Sequence, residues 1–135
     1  MNSNYLFVYG TLLENVDNDM SRFLSSNSMV MGNAYFHGRL FKISWFPGAV
    51  ISDDLSEKVY GTFIKLNNAE ETLSALDYYE GYHANNPKSS LFIRQLITII
   101  DEKGATYEAW TYLYNQNVEE ETRIHSGDFL KDAES

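Results

Sequence analysis

The stretch Tyr5-Leu6-Phe7-Val8-Tyr9-Gly10-Thr11-Leu12 joins a short apolar run to a glycine and a small hydroxyl residue. The run at residues 5–8 predicts a buried β-strand at the start of the chain. The strand is followed almost at once by Gly10, which can adopt backbone angles closed to residues that carry a Cβ atom. The chain can therefore turn sharply and point successive N–H groups into one concavity, which suits an anion or a polarised carbonyl. We expect this turn, residues 9–12, to hold a substrate.

A second candidate, Glu80, lies at the end of a helix that is predicted to follow Asn67-Asn68 and to stop before Gly81. Glu80 comes seven residues after Leu73 and four after Leu76, so the helical period places it on the apolar face. Partial desolvation and the negative end of the helix dipole both raise the pKa of a carboxyl group at such a position. Such a group can accept and return a proton near neutral pH.

Neither candidate is specific by itself. A glycine after a first strand is most often only a turn, and one glycine is far less specific than a complete phosphate-binding fingerprint. A solvated glutamate at a fraying helix end is also commoner than a catalytic one, so the pattern alone leaves this alternative open for Glu80.

The other segments indicate one further helix and several strands. A short helix capped by Asn15 or Asp17 is predicted to run to about Ser25, and it places Met20, Phe23 and Leu24 on one face. Residues 29–45 predict one or two strands bent at Gly32 or Gly38, and Pro47-Gly48 predicts a break before a brief strand at residues 49–51. Further strands are predicted at residues 59–66, 91–100 and 105–114, with a hairpin turn at Asp101-Glu102-Lys103-Gly104.

This order of elements is not a regular alternation of strands and helices, which disfavours a doubly wound sheet. We expect an α+β fold, a small mixed β-barrel with flanking helices. We assign residues 1–115 to one domain. Residues 116–135 are predicted to form an acidic C-terminal tail that packs on the same domain or frays from it.

The composition of the chain disfavours or excludes several kinds of partner and site. The chain of 135 residues carries a formal charge of −9, which disfavours nucleic acid and anionic membranes as partners. The absence of cysteine excludes disulfides, a cysteine-ligated zinc and a thiol nucleophile. The N-terminus shows no signal peptide and no apolar run is long enough to span a membrane, so we expect a cytoplasmic protein.

Five motifs in a fixed order carry a resemblance to a known family. They are Tyr9-Gly10-Thr11-Leu12, Pro47-Gly48-Ala49-Val50, Val59-Tyr60-Gly61, Leu76-Asp77 followed by Glu80-Gly81, and the strand that contains Arg94. In this order the chain resembles the γ-glutamylcyclotransferase-like family over roughly residues 5–114. Within this family the chain most resembles the subgroup of short γ-glutamylamine-cyclotransferase-like (AIG2-like) proteins.

The resemblance implies a small mixed barrel and an enzyme that cyclises a γ-glutamyl group to 5-oxoproline and releases the attached amine. It implies that the backbone of Tyr9, Gly10, Thr11 and Leu12 holds the glutamyl moiety and that Glu80 is the general acid and base. The implied partner is a small γ-glutamyl amine or peptide. No metal and no organic cofactor is implied.

Two other functions stay open on the same fold, because a fold does not fix a function. One is a non-catalytic module that binds a small carboxylated metabolite, and the other is a protein-interaction domain that uses its aromatic surface. We expect Arg94 to be a structural ion-pair partner and Tyr112 to pack in the core. No metal site is expected, since His37, His83 and His125 lack metal-ligand spacing and Asp53-Asp54 is typical of a turn.

Overall fold

The computed structural model describes residues 3–9, 19–43, 47–80, 82, 88 and 90–129, and for residues 19–21, 79 and 80 it describes the helical backbone only. The strands are β1 Tyr5–Val8, β2 Ser28–Lys42, β3 Pro47–Ile51, β4 Lys58–Leu66, β5 Phe92–Asp101, β6 Thr106–Tyr114 and β7 Arg123–Ile124. The helices are α1 Asp19–Ser26 and α2 Ala69–Glu80, and a 3₁₀ helix, Glu120–Thr122, precedes β7.

Five strands form a closed barrel in the order β2, β4, β1, β6 and β5, and pairing of β5 with β2 closes the ring. Strands β1 and β6 run parallel, whereas the other pairs are antiparallel. Strands β3 and β7 extend the barrel by pairing with β2. The expectation of an α+β fold, a small mixed β-barrel with flanking helices, is confirmed.

Strand β2 pairs with four strands, β3, β4, β5 and β7, because it is long and bent. Its 15 residues pair with β4 along the first two thirds and with β3 and β7 near the end. The register with β4 shifts between Val30 and Gly32, which is a β-bulge, and the φ angle of 152° at Gly32 favours glycine. The predicted bend therefore lies at Gly32, and the strand continues unbroken through Gly38.

Two apolar clusters lie on the two faces of the sheet, since successive side chains of a strand point to opposite faces. The cluster inside the barrel includes Phe7, Tyr9, Phe36, Phe63, Ile97, Ile99, Leu113, Ile124 and Phe129. The cluster between the barrel and the two helices comprises Leu6, Leu24, Ile64, Leu66, Leu73, Leu76, Phe92 and Tyr112. Helix α2 thus packs through the predicted Leu73 and Leu76 face.

Two local predictions are wrong. Phe23 is exposed although Leu24 beside it is fully buried, because neighbouring residues of a helix point about 100° apart and only one side of α1 is covered. Strand β3 begins at Pro47 rather than after Gly48. A proline is tolerated as the first residue of a strand. Gly48 fits there because a Cβ atom would lie 2.8 Å from the Cβ atom of Tyr114. The predicted α1 caps, Asn15 and Asp17, lie outside the described residues.

The chain after β6 returns to the barrel as far as Phe129. Strand β7 pairs with β2, and the carbonyl oxygen of Gly127 accepts a hydrogen bond of 2.8 Å from the backbone N–H of Tyr60. Ile124 and Phe129 are buried in the interior cluster. Residues 123–129 therefore belong structurally to the barrel. In the part of the chain that the structure describes, neither helix has the length and apolar character needed to cross a membrane.

Candidate active site

The predicted site residues sit at the ends of two elements, β1 and α2. Tyr9 directly follows β1 and its side chain is buried. Glu80 is the last residue of α2. Gly10, Thr11 and Leu12 and the side chain of Glu80 lie outside the described residues. The structure describes how the elements that carry these residues are joined to each other.

The buried hydroxyl of Tyr9 joins the end of β1 to two other strands. It donates a hydrogen bond to the carbonyl oxygen of Tyr112 in β6. It also accepts a hydrogen bond of 3.2 Å from the backbone N–H of Ala49 in β3. Because a buried hydroxyl without partners is costly, these bonds fix the side chain that opens the motif at residues 9–12.

The last turn of α2 is held by Asp77, three residues before Glu80. Its carboxylate accepts hydrogen bonds of 2.8 and 3.2 Å from the guanidinium of Arg94 and one of 2.7 Å from the hydroxyl of Tyr112. The guanidinium also lies 4.5 Å from the ring centroid of Trp110. Burial opposes the charge of Arg94, but the hydrogen bonds and charge of Asp77 outweigh it and raise the pKa of Arg94. The ion pair expected for Arg94 is present.

The main chain of Asp77 also ends the helix. Its carbonyl oxygen accepts a hydrogen bond of 2.9 Å from the N–H of Tyr82. A bond to the residue five positions on is the one that closes a Schellman motif. At the other end of α2, the carbonyl oxygen of Asn68 accepts a bond of 2.9 Å from Thr72. The predicted helix boundaries are therefore confirmed.

Arg94 and Tyr112 were singled out from the sequence, whereas Asp77 was named only as part of the motif with Glu80 and not as their common partner. Tyr112 is buried with the helix-facing cluster, as expected, and its hydroxyl has the additional role of a donor to Asp77. One signal was present: Asp77 is an acidic residue four positions after the buried Leu73, which places it on the same side of the predicted helix. A carboxylate on that side needs a partner, and the arginine of the next strand could supply it.

A groove of about 670 Å³ opens beside Tyr9. Its lining includes three tyrosines and three acidic residues, together with Val8 at the end of β1: Val8, Tyr9, Tyr35, Tyr60, Asp101, Glu102 and Asp128. Lysine and arginine are absent from the described residues that line it, although the ammonium group of Lys58 lies 4.8 Å from the ring centroid of Tyr35.

The structure also bears on metal binding. Among the residues it describes, no three histidine, aspartate or glutamate side chains are placed to share a metal ion. His83 lies outside the described residues.

Comparisons with known proteins address the whole chain. Residues 6–131 match the model of a family described as gamma-glutamyl cyclotransferase, AIG2-like. A protein of Niallia circulans named gamma-L-glutamyl-butirosin B gamma-glutamyl cyclotransferase is 32% identical over 120 residues, which are 88% of this chain and 72% of that protein.

Solved structures show the same fold. YkqA from Bacillus subtilis has a TM-score of 0.68 and 27% identity, with 95% of this chain matched to 40% of that one. An aig2-like protein from Mus musculus has a TM-score of 0.69 at 18% identity, with 93% and 87% of the two chains covered. The second likeness concerns the fold alone.

Proposed function

Since the chain belongs to the gamma-glutamyl cyclotransferase, AIG2-like family, we propose that it converts a γ-glutamyl amine or small γ-glutamyl peptide into 5-oxoproline and the free amine. The observation that carries the proposal is the joining of the two predicted site segments. Tyr9 at the end of β1 and the last turn of α2, which carries Glu80, are both hydrogen-bonded to Tyr112. Two segments distant in sequence are thereby held to one residue.

The γ-glutamyl half of the substrate is supported by the relatives. The protein of Niallia circulans is named for a γ-L-glutamyl conjugate, γ-L-glutamyl-butirosin B. We carry over the γ-glutamyl group to this chain and define the second half by its chemistry, an amine nitrogen acylated by the γ-carboxyl group.

The reaction needs no nucleophile from the protein. The α-amine of the substrate attacks its own γ-carbonyl carbon, a new C–N bond closes the five-membered ring, and the bond from that carbon to the leaving nitrogen breaks. Because the attack is intramolecular, little translational entropy is lost. A free α-amino group has a pKa of about 8, so it is mostly protonated at neutral pH and must lose a proton before it attacks.

The proposed roles follow from these requirements. Glu80 accepts one proton of the α-amine and returns one to the leaving nitrogen, so the carboxylate is regenerated at the end of the cycle. The second proton that the α-amine loses as it becomes the ring amide passes to the solvent. Backbone N–H groups of residues 10–12 stabilise the oxyanion that develops on the γ-carbonyl or bind the α-carboxylate. Every bond change takes place within the substrate, and only protons pass through the protein.

The test is to measure 5-oxoproline formation from a panel of γ-glutamyl amines and peptides. Glu80→Gln is expected to reduce kcat/KM about 10²- to 10⁴-fold, the usual contribution of a general acid and base. Glu71→Gln, an exposed carboxylate in the first turn of the same helix, is the matched control and should retain activity.

Each contrary outcome has a definite meaning. Full activity of Glu80→Gln would show that the acid–base role is misassigned. A wild-type protein that forms no 5-oxoproline, yet is thermally stabilised by a γ-glutamyl compound, would instead favour a non-catalytic binding module.

A further inference from the structure

Tyr112 is hydrogen-bonded to both halves of the candidate site. Its side-chain hydroxyl donates to Asp77 in the last turn of α2, and its backbone carbonyl oxygen accepts from the hydroxyl of Tyr9. We propose that Tyr112 is a positioning residue, which sets the place of the helix end that carries Glu80 relative to residues 9–12. This inference rests on the proposed function and adds to it a residue that acts through Asp77.

The helix end is held through both parts of Asp77. Its side chain is bound by Tyr112 and Arg94, and its carbonyl oxygen is bound by the N–H of Tyr82. Tyr112 is only 6% exposed and the side chain of Asp77 is 20% exposed, so their hydrogen bond is partly shielded from water and stronger than a surface bond. Asp77 lies three residues before Glu80, so displacement of this turn displaces Glu80 with it.

The β1 end is held by the same region of β6. The two strands run parallel with Leu6 opposite Trp110, and the hydroxyl of Thr111 donates a bond of 3.0 Å to the carbonyl oxygen of Phe7. The bond from Tyr9 to the Tyr112 carbonyl oxygen extends this link beyond the strand. Both halves of the site are therefore hydrogen-bonded to strand β6.

The links of Tyr112 to α2 and to Tyr9 can be separated by mutation. Tyr112→Phe removes the bond to Asp77, and with it a longer bond of 3.5 Å from the same hydroxyl to the carbonyl oxygen of Leu73 in α2. It keeps the backbone carbonyl that binds Tyr9 and the ring in its apolar cluster. Asp77 still has Arg94 as a partner, so we expect the variant to fold. Glutamyl binding through residues 9–12 should persist, whereas proton transfer through Glu80 should become slower.

Steady-state kinetics on an accepted γ-glutamyl substrate test the inference. Tyr112→Phe should lower kcat about 10- to 100-fold, the scale expected for a misplacement of about 1 Å, while KM stays within about twofold. The control is Tyr107→Phe, the same deletion on the same strand, where the ring packs against Tyr5 and Phe63. A role in packing alone would leave kcat per folded molecule unchanged, and that outcome would overturn the inference.

A double-mutant cycle tests whether Tyr112 acts through Asp77. Asp77→Asn should also lower kcat, and Tyr112→Phe combined with Asp77→Asn should be no slower than the slower single variant. Losses that simply multiply would show that the two residues act independently, which contradicts the proposed path.

Amide hydrogen exchange provides a readout that needs no substrate. In Tyr112→Phe the N–H of Tyr82, bonded to Asp77, should exchange about tenfold faster, as expected for the loss of one stabilising hydrogen bond. The N–H of Thr72 at the other end of α2 should be unchanged. Unchanged exchange at Tyr82 would overturn the inference. Absence of 5-oxoproline from the wild-type protein would instead contradict the proposed function, and the exchange result would still decide whether Tyr112 holds the helix end.

Discussion

The carboxylate of Glu57 connects three segments that are distant in sequence. It accepts hydrogen bonds from the hydroxyl of Ser52, from Arg39 at 2.8 Å and from Arg123 at 2.6 Å. These bonds, led by those from Ser52 and Arg39, lower the pKa of Glu57 from 4.5 to about 2. One side chain thus holds the loop before β4, strand β2 and the C-terminal segment together.

This depressed pKa predicts how stability depends on pH. The ionised form of Glu57 stabilises the folded state above pH 4.5, and the contribution is lost as the pH falls towards 2. Urea unfolding of the wild type and of Glu57→Gln should therefore give free energies of unfolding that differ most near neutral pH and converge in acid. Asp53→Asn, an exposed carboxylate in the same loop, is the control. A difference that is constant with pH would refute the assignment.

At the scale of elements, the turn between β5 and β6 and the turn after β7 differ in how closely they pack against the rest of the barrel. Gly104 in the β5–β6 turn has a φ angle of 84°, and a Cβ atom there would meet nothing within 4 Å. Gly127 after β7 has a φ angle of 72°, and a Cβ atom there would lie 1.9 Å from the carbonyl oxygen of Lys58. A substitution at Gly104 therefore introduces backbone strain alone, whereas a substitution at Gly127 introduces the same strain and a steric clash.

Alanine substitution should show this difference. Gly104→Ala should lower the free energy of unfolding by about 1–2 kcal/mol, the cost of a left-handed conformation for a residue with a Cβ atom. Gly127→Ala should cost about 1–3 kcal/mol more, because the C-terminal segment must move away from β4. Denaturant unfolding of the two variants provides the measurement. Equal losses would show that residues 123–129 adapt without strain.

Short sequence patterns correctly predicted the elements whose bounds depend on residues close by in the sequence. The apolar run at Tyr5–Val8 and the end of α2 at Glu80 before a glycine were predicted correctly. The exposure of Phe23 and the start of β3 at Pro47 were not, because each depends on which side of the element is covered by another. Such coverage is a property of the assembled fold and not of any short window.

The same distinction applies to the candidate site. The motifs identified Tyr9, Glu80 and Arg94 as residues of interest, and Tyr112 was expected only to pack in the core. The bonds of Tyr112 to Tyr9 and Asp77 could not be predicted, because they require the parallel register of β1 with β6 and the docking of α2 on that sheet. Pairings between residues 35 and 103 positions apart leave no local pattern.

At the scale of the whole molecule, the charge of −9 should influence the binding of a charged substrate in the proposed reaction. Raising the salt concentration from 0.01 to 1 M shortens the Debye length from about 30 Å to about 3 Å and screens this charge. For a γ-glutamyl conjugate of a diamine, whose free amine is cationic, KM should rise roughly 3- to 10-fold over this range. For a conjugate of a simple alkylamine, in which the amine half carries no charge, KM should change little. Equal salt dependence for both substrates would exclude attraction by the net charge.

The parallel pairing of β1 with β6 has a consequence for synthesis on the ribosome. Strand β1 emerges first and can pair with β4 once residue 66 is free, but its other edge has no neighbour until residues 106–114 appear. The edge of β2 that pairs with β5 must wait in the same way. A nascent chain that stalls between these points exposes two open strand edges, which are templates for aggregation. During translation of the segment between α2 and β6 the nascent chain is therefore expected to be prone to aggregation.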